Sequence, residues 1–107
     1  LSGSTNGRGI LVAQTATAGT LIHTAHATST DVISLVAVNA DTTDRKLTIE
    51  FGGVTAPGDI IEFTVPAEDG LYVLVDRLPL TNSLVVRAFA ATTNVLSIFG
   101  MVTRYTA

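Results

Sequence analysis

Apolar and polar residues alternate along much of this chain with the two-residue period of a β-strand. In the segment Arg45–Phe51 every second residue is apolar, and Ile60–Val65 follows the same pattern. Because successive side chains of a strand point to opposite faces, we expect the apolar ones to point into a core. The predicted inward residues are Leu47, Ile49, Phe51, Ile61, Phe63 and Val65, and the predicted outward ones are Lys46, Thr48, Glu50, Glu62 and Thr64.

Turn-forming residues divide the chain into eight β-branched segments, and no segment has the apolar stripe of a helix. Turn signals about eight to twelve residues apart are typical of a sandwich or a barrel. We therefore predict an all-β fold, an antiparallel β-sandwich of about eight strands, with a jelly roll as one arrangement of it. The predicted strands are residues 9–16, 20–27, 31–40, 45–51, 60–65, 71–75, 83–91 and 94–105.

Some segments carry more specific predictions. Residues 31–40 are apolar on both faces, which indicates a central strand. Gly100 lies in the middle of the last predicted strand, and a glycine there indicates a bulge or a close backbone approach. Residues 76–82 contain Pro79 between two leucines, and we expect them to cross from one sheet to the other. Residues 66–70 have the length of a hairpin connection.

The chain is long enough for one domain and begins with a polar, glycine-rich segment. We expect residues 1–8 to form a flexible N-terminal arm, free to order on a neighbour in an assembly, and residues 9–107 to form the single β-sandwich domain. Since the first residue is Leu1 rather than Met, we also expect an initiator or a short leader to precede it.

The composition is apolar for a domain of this size. Charged residues make up 14% of the chain, against about 25% in average domains. Together with strands that are apolar on both faces, this predicts a surface covered by neighbours, and we expect a homo-oligomer, a trimer above all. The net charge of −3 and the scattered basic residues disfavour nucleic-acid binding. No apolar run reaches transmembrane length, so no membrane partner is expected.

Candidate catalytic and metal-binding groups are few. His23 and His26 are three residues apart, which on a strand places them on opposite faces and prevents them from sharing one metal ion. Asn39, Asp41 and Asp44 offer oxygen ligands suited to Ca²⁺, but Asn and Asp are also the usual turn formers, and we favour the turn. We expect no enzyme, no cofactor and no metal site.

Two further sets of charged residues remain. Glu68 and Asp69 are adjacent in one tight loop, and we expect them to be solvated turn residues rather than a catalytic carboxylate pair. Arg87 is the lone charge in an otherwise apolar strand, and it could meet Glu50 or Glu62, within the subunit or across an interface. Exposed carboxylates are the plainer alternative for both glutamates. We take Arg87, Glu50 and Glu62 as the candidate interface residues.

Three stretches of sequence together suggest a family. They are RKLTIEFGG at 45–53, VPAEDGL at 65–71, and LVVRAFAA at 84–91 running into VLSIFG at 95–100. With these stretches, residues 20–104 resemble the small all-β virion proteins of tailed bacteriophages. The resemblance lies in the sequences of the strands, and it does not identify any residue of this chain as a binding residue.

The resemblance implies a structural role in the virion. The expected function is that of a capsid decoration (cement) protein, which is assembled in the host cytoplasm, binds the major capsid protein on the capsid exterior and stabilises the shell. The alternatives are a head-fibre or tail component and a receptor- or glycan-binding module at the virion surface. A concave site with an aromatic ring or convergent polar groups would favour the binding module.

Overall fold

The fold is taken from a computed structural model, and the structure is described for residues 1–68 and 70–106. Within these residues the chain is all-β, with eight strands and no helix. The strands are β1 (Ile10–Leu11), β2 (Thr20–Thr24), β3 (Thr30–Asn39), β4 (Arg45–Phe51), β5 (Ile60–Val65), β6 (Tyr72–Leu80), β7 (Val85–Ala90) and β8 (Leu96–Tyr105).

The strands form two antiparallel sheets of four, in the orders β1-β8-β3-β6 and β2-β7-β4-β5. The antiparallel pairs β1–β8, β2–β7, β3–β6 and β4–β5 join the first strand to the last, the second to the seventh, and so on inward. The chain is therefore one long antiparallel ribbon folded over on itself, and the pairs β3–β8 and β4–β7 complete the two sheets. This strand order is that of a jelly roll, which confirms the predicted all-β sandwich.

The core lies between the inner faces of the two sheets, where alternate residues of each strand are buried. Leu47 and Ile49 are fully buried as predicted, and Phe51, Ile61 and Phe63 pack against the core. On the opposing sheet the largest fully buried residues are Ile33, Leu35, Leu96 and Ile98. Burial of these branched side chains from both sheets is the main stabilising contribution that the fold offers.

The predicted bounds of β4 and β5 agree with the structure, and β3 occupies the central position predicted for it, between β8 and β6. Gly100 pairs with Leu35 without a shift of register. A Cβ atom at Gly100 would clash with the carbonyl oxygen of Ser34. The glycine therefore marks a close backbone approach, which is one of the two alternatives that its position predicts.

The segment predicted to cross between the sheets instead belongs to a strand. β6 runs from Tyr72 to Leu80 and pairs with β3 before and after an irregularity at Asp76 and Arg77, so residues 76–80 remain in one sheet. Pro79 is tolerated because β6 is an edge strand, where a missing N–H breaks no ladder on the open side. The crossing lies at residues 81–84. Residues 66–70, expected to form a hairpin, instead connect strands of different sheets.

Four strands are shorter than predicted: β1, β2, β7 and β8. β1 covers Ile10–Leu11, although the N–H of Val12 still donates to the carbonyl of Leu96 at 2.8 Å. β2 ends at Thr24, and its register against β7 shifts between Leu21 and His23. This irregularity places Ile22 and His23 on the buried side in succession, a departure from alternation that the sequence pattern did not indicate.

The N-terminal segment contacts the domain. The N–H of Gly3 donates to the carbonyl of Ile22 at 3.0 Å, and the Ser2 hydroxyl accepts from the N–H of Thr24 at 2.7 Å. Leu1 packs against the core beside the position where Gly100 lacks a side chain. The contacts of residues 1–3 were not predicted, because the polar composition of the segment gave no sign that Leu1 fills a gap in the core.

Candidate functional site

The outer faces of the two sheets differ in chemistry. On the β1-β8-β3-β6 sheet the outward side chains are mostly apolar and form what we call the apolar face. Among its most exposed members are Val73 at 64% and Met101 at 65% of their full accessibility. The register of β3 with β6 and β8 places these side chains near one another. The apolar face comprises Leu11, Val32, Val36, Val38, Val73, Phe99 and Met101.

The apolar face has no charged residue on its two central strands. The outward positions of β3 and β8 hold only apolar or hydroxyl-bearing side chains. Large apolar side chains exposed together on an uncharged sheet are the usual mark of a surface that another molecule covers. The outward residues of these two strands are Thr30, Val32, Ser34, Val36, Val38, Ser97, Phe99, Met101, Thr103 and Tyr105.

The outer face of the β2-β7-β4-β5 sheet is polar and contains a pocket of about 450 Å³. Its floor is formed by Thr48 of β4 and Phe89 of β7, which lie opposite each other in the paired strands. The connections before β2 and before β5 form its walls, through Thr15 and Thr17 on one side and Pro57 on the other. No sequence signal predicts this pocket, because its lining comes from segments distant in the chain.

Glu62, one of the candidate interface residues, lies at the pocket. Its carboxylate forms an ion pair with the ammonium group of Lys46, with an N–O distance of 2.6 Å. Both side chains are more than half exposed, at 52% for Glu62 and 61% for Lys46. Glu62 therefore points outward as predicted, and within the subunit its partner is Lys46 rather than Arg87.

Glu50 was predicted to point outward into solvent and is instead fully buried. It does lie on the outer side of its sheet, but the connection between β1 and β2 folds over it. Its carboxylate accepts hydrogen bonds from the Thr17 hydroxyl at 2.6 Å and from the N–H of Gly19 at 2.7 Å. Gly19 is required here, because a Cβ atom would clash with the carbonyl oxygen of Ala88. Glu50 thus anchors this connection to the sheet.

Arg87 lies directly opposite Glu50 in the register of β4 and β7. Its guanidinium donates to the carbonyl oxygen of Gly19 at 3.3 Å. Among residues 1–68 and 70–106 it forms no ion pair, so the predicted pairing with Glu50 or Glu62 does not occur within the subunit. The hydrogen bonds that Glu50 makes to Thr17 and Gly19 satisfy the carboxylate instead. An interface role for Arg87 stays a prediction.

A buried polar cluster lies at the end of the sandwich where β2 leads into β3. The fully buried carboxylate of Asp31 accepts two hydrogen bonds from the Arg104 guanidinium, at 2.6 Å from Nε and 3.0 Å from Nη2. It also lies 2.7 Å from Nε2 of His23. The Arg104 hydrogen bonds, together with that of His23, hold the pKa of Asp31 well below its usual value against the opposing effect of burial.

The two histidines are engaged separately. Nδ1 of His23 accepts from the N–H of Ser2 at 2.9 Å, so its Nε2 carries the proton that is donated to Asp31. Nδ1 of His26 accepts from the N–H of Ser29 at 2.9 Å in the turn after β2. No cluster of three or more His, Cys, Asp or Glu side chains suited to a metal ion occurs in the part of the chain that the structure describes.

The Asn39–Asp44 segment forms a turn, which is the alternative that the sequence favours over a calcium site. The Asn39 amide donates to the carbonyls of Thr43 and Val65, each at 3.0 Å, and its oxygen accepts from the N–H of Asp41 at 2.9 Å. Asp41 pairs with Arg45, whose Nε donates at 2.7 Å, and this contact lowers the pKa of Asp41. These side chains are therefore committed to internal bonds.

The loop after β5 contains the two adjacent carboxylates Glu68 and Asp69. Asp44, from the turn before β4, contacts this loop by accepting a hydrogen bond from the N–H of Ala67 at 2.9 Å. Glu68 is exposed, in agreement with its predicted position in a solvated turn. Its neighbour Asp69 lies outside the described residues.

Strand order and surface chemistry define an eight-stranded jelly-roll domain with an apolar face on one sheet and, on the other, a pocket lined by both polar and apolar side chains. Comparison with protein-family models, with curated proteins and with solved structures finds no match for this chain. The described residues contain no helix that is long and apolar enough to cross a membrane.

Proposed function

We propose that this protein is a structural component of a tailed-bacteriophage virion. In this proposal it is a capsid decoration (cement) protein that forms a homo-oligomer, a trimer by expectation, and binds the assembled shell of the major capsid protein. The mechanism is mechanical, since each oligomer adds contact area between neighbouring shell subunits. Several weak contacts made by one oligomer add up through their effective concentration.

The observation that carries the proposal is the apolar face. Val73, Phe99 and Met101 remain exposed on a sheet whose central strands present no outward charge. A solvated sheet face of a monomer normally carries polar residues. We infer that copies of this chain cover the apolar face in the functional assembly.

The size of the apolar face is compatible with self-association. β3 and β8 are each 10 residues long, which corresponds to about 33 Å at about 3.3 Å per residue. With the neighbouring β6 at a strand spacing of about 4.8 Å, the face measures about 500 Å² in projection. Covering this face with an equal area of a neighbouring copy would bury about 1,000 Å² in total, which is about the lower limit for a specific interface.

The virion role has separate support from the sequence resemblance to bacteriophage virion proteins. The jelly roll agrees with it, because this architecture is common among proteins of viral shells. The fold alone hosts many functions, so the resemblance and the apolar face carry the argument together.

The test compares stripped phage particles with particles to which the purified protein has been added back. We expect particles without the protein to assemble and package, but to lose DNA at a lower temperature than complete ones. Added protein should restore resistance, since a ligand that binds only the intact shell stabilises it by mass action. Met101→Lys should lose both the oligomer mass in light scattering and the rescue, because it places a charge on the apolar face.

Thr64→Lys is the matched control, because Thr64 is an exposed strand residue of the other sheet. It should rescue the particles as the wild type does. Stripped particles as robust as complete ones would refute the cement role. Stable stripped particles that no longer attach to host cells would assign the protein to the receptor-binding class.

A further inference from the structure

The pocket lies on the opposite side of the sandwich from the apolar face. It is therefore separate from the apolar face and opens to solvent on the other side of the subunit. Its volume of about 450 Å³ falls within the range of about 300–1,000 Å³ that is usual for small-ligand sites. This combination of size and access makes the pocket a candidate binding site independent of the assembly surface.

The lining of the pocket is apolar on one part of its surface and polar on the rest. Phe89 provides an aromatic ring on the floor, and Val54 and Pro57 provide an aliphatic wall. Thr15 and Thr48 add hydroxyl groups, each able to donate one hydrogen bond and accept two. A ligand that matches this surface has one apolar face and several hydrogen-bonding groups around its edge.

The charges at the pocket cancel. Lys46 and Glu62 pair at 2.6 Å, so they offer donors and acceptors side by side without selecting an ion. The Glu50 carboxylate, which lies behind Thr17, already accepts two hydrogen bonds and is fully buried. The ligand that this site favours is therefore neutral.

We propose that the pocket binds a neutral carbohydrate. A pyranose ring has an apolar C–H face, which stacks on Phe89, and neighbouring hydroxyls, which bond to the Lys46–Glu62 pair. A nucleoside could also stack on an aromatic ring, but it would use the alternating donors and acceptors of a base rather than vicinal hydroxyls. The carbohydrate fits both the aromatic floor and the paired charges.

The test is a titration of the purified protein with the methyl glycosides of glucose, galactose, mannose and N-acetylglucosamine, followed by amide NMR shifts. We expect at least one glycoside to give saturable shifts at Thr17, Thr48 and Phe89, with a Kd of about 1 mM or tighter. Glu62→Gln and Phe89→Leu should each weaken binding about tenfold, the loss expected for one charge-assisted hydrogen bond or one stacked ring.

Thr103→Ala, on the outward side of β8, is the matched control and should bind as the wild type does. Glu62 is exposed, so Glu62→Gln tests the site even if Phe89→Leu fails to fold. The proposal is overturned if none of the four glycosides shifts the pocket residues, if Glu62→Gln binds as tightly as the wild type, or if adenosine binds there in preference to every glycoside. None of these outcomes affects the cement role, which is tested through Met101.

Discussion

Asp31 and Arg104 form a two-point ion pair in which the carboxylate is fully buried and the guanidinium is partly exposed, at 45% of its side-chain accessibility. The pair joins the start of β3 to the end of β8 within one sheet. His23 of β2, in the other sheet, donates to the same carboxylate, so the three residues together connect both sheets at one end of the sandwich. Removing either charge would leave the other groups of the cluster without their partner.

The lowered pKa of Asp31 predicts a dependence of stability on acid pH. As the pH falls, the unfolded chain takes up this proton first, near the usual carboxyl value of about 3.9. The contribution of Asp31 is therefore complete above that pH and is lost as the pH falls toward the lower folded-state pKa. We expect Asp31→Asn to be less stable than the wild type at neutral pH, and the difference to shrink below about pH 4.

Urea unfolding at a series of pH values measures this difference. Asp76→Asn is the control, because Asp76 is exposed in its pair with Arg77 and should give the wild-type pH profile. Since Arg104 is partly exposed, added salt should reduce the effect. A stability difference between Asp31→Asn and the wild type that stays constant from neutral pH to pH 2 would contradict the assignment.

Glu50 should be important for stability although it was predicted to be a surface residue. Glu50→Ala removes the acceptor for the Thr17 hydroxyl and the Gly19 N–H, and we expect it to lower the free energy of unfolding by about 2–3 kcal/mol. Glu62→Ala, on the adjacent strand, should change it by less than about 1 kcal/mol, because its ion pair is exposed. Chemical denaturation measures both, and equal effects would show that Glu50 is not an anchor.

Leu1 should stabilise the domain through its contact with the core. We expect Leu1→Ala to cost about 1 kcal/mol, since a partly buried leucine loses only part of its transfer free energy. Leu71→Ala is the control, because Leu71 is 65% exposed and should have little effect. Thermal unfolding compares the two. Identical melting temperatures for Leu1→Ala and the wild type would favour a free N-terminal arm.

Arg87 is expected to act between subunits rather than within one. Within residues 1–68 and 70–106 its side chain makes one hydrogen bond of 3.3 Å, to Gly19, so Arg87→Ala should cost no more than about 1 kcal/mol of folding stability. If Arg87 pairs with a carboxylate of a neighbouring copy, the same change should lower the oligomer mass in light scattering. Arg77→Ala, in an exposed pair, is the control. An unchanged oligomer mass would remove Arg87 from the interface.

The cluster around Asp31 shows why strand alternation alone was insufficient to place the polar groups. On a regular strand the side chains of Ile22 and His23 would point to opposite faces, but the register shift in β2 brings both to the buried side. Nothing in the local sequence marks that shift. The partner of Asp31, Arg104, is 73 residues away, and only the pairing of β3 with β8 brings them together.

The sequence by itself determined the all-β class, the inward set of β4 and β5, the central position of β3 and the role of the Asn39–Asp44 turn. These features depend on period-two burial and on local backbone bonding, which neighbouring residues specify directly. The tertiary structure alone decided the burial of Glu50, the continuation of β6 through Pro79, and the pocket above Phe89. Each depends on which distant segment covers or pairs with a strand, and the local pattern carries no information about that partner.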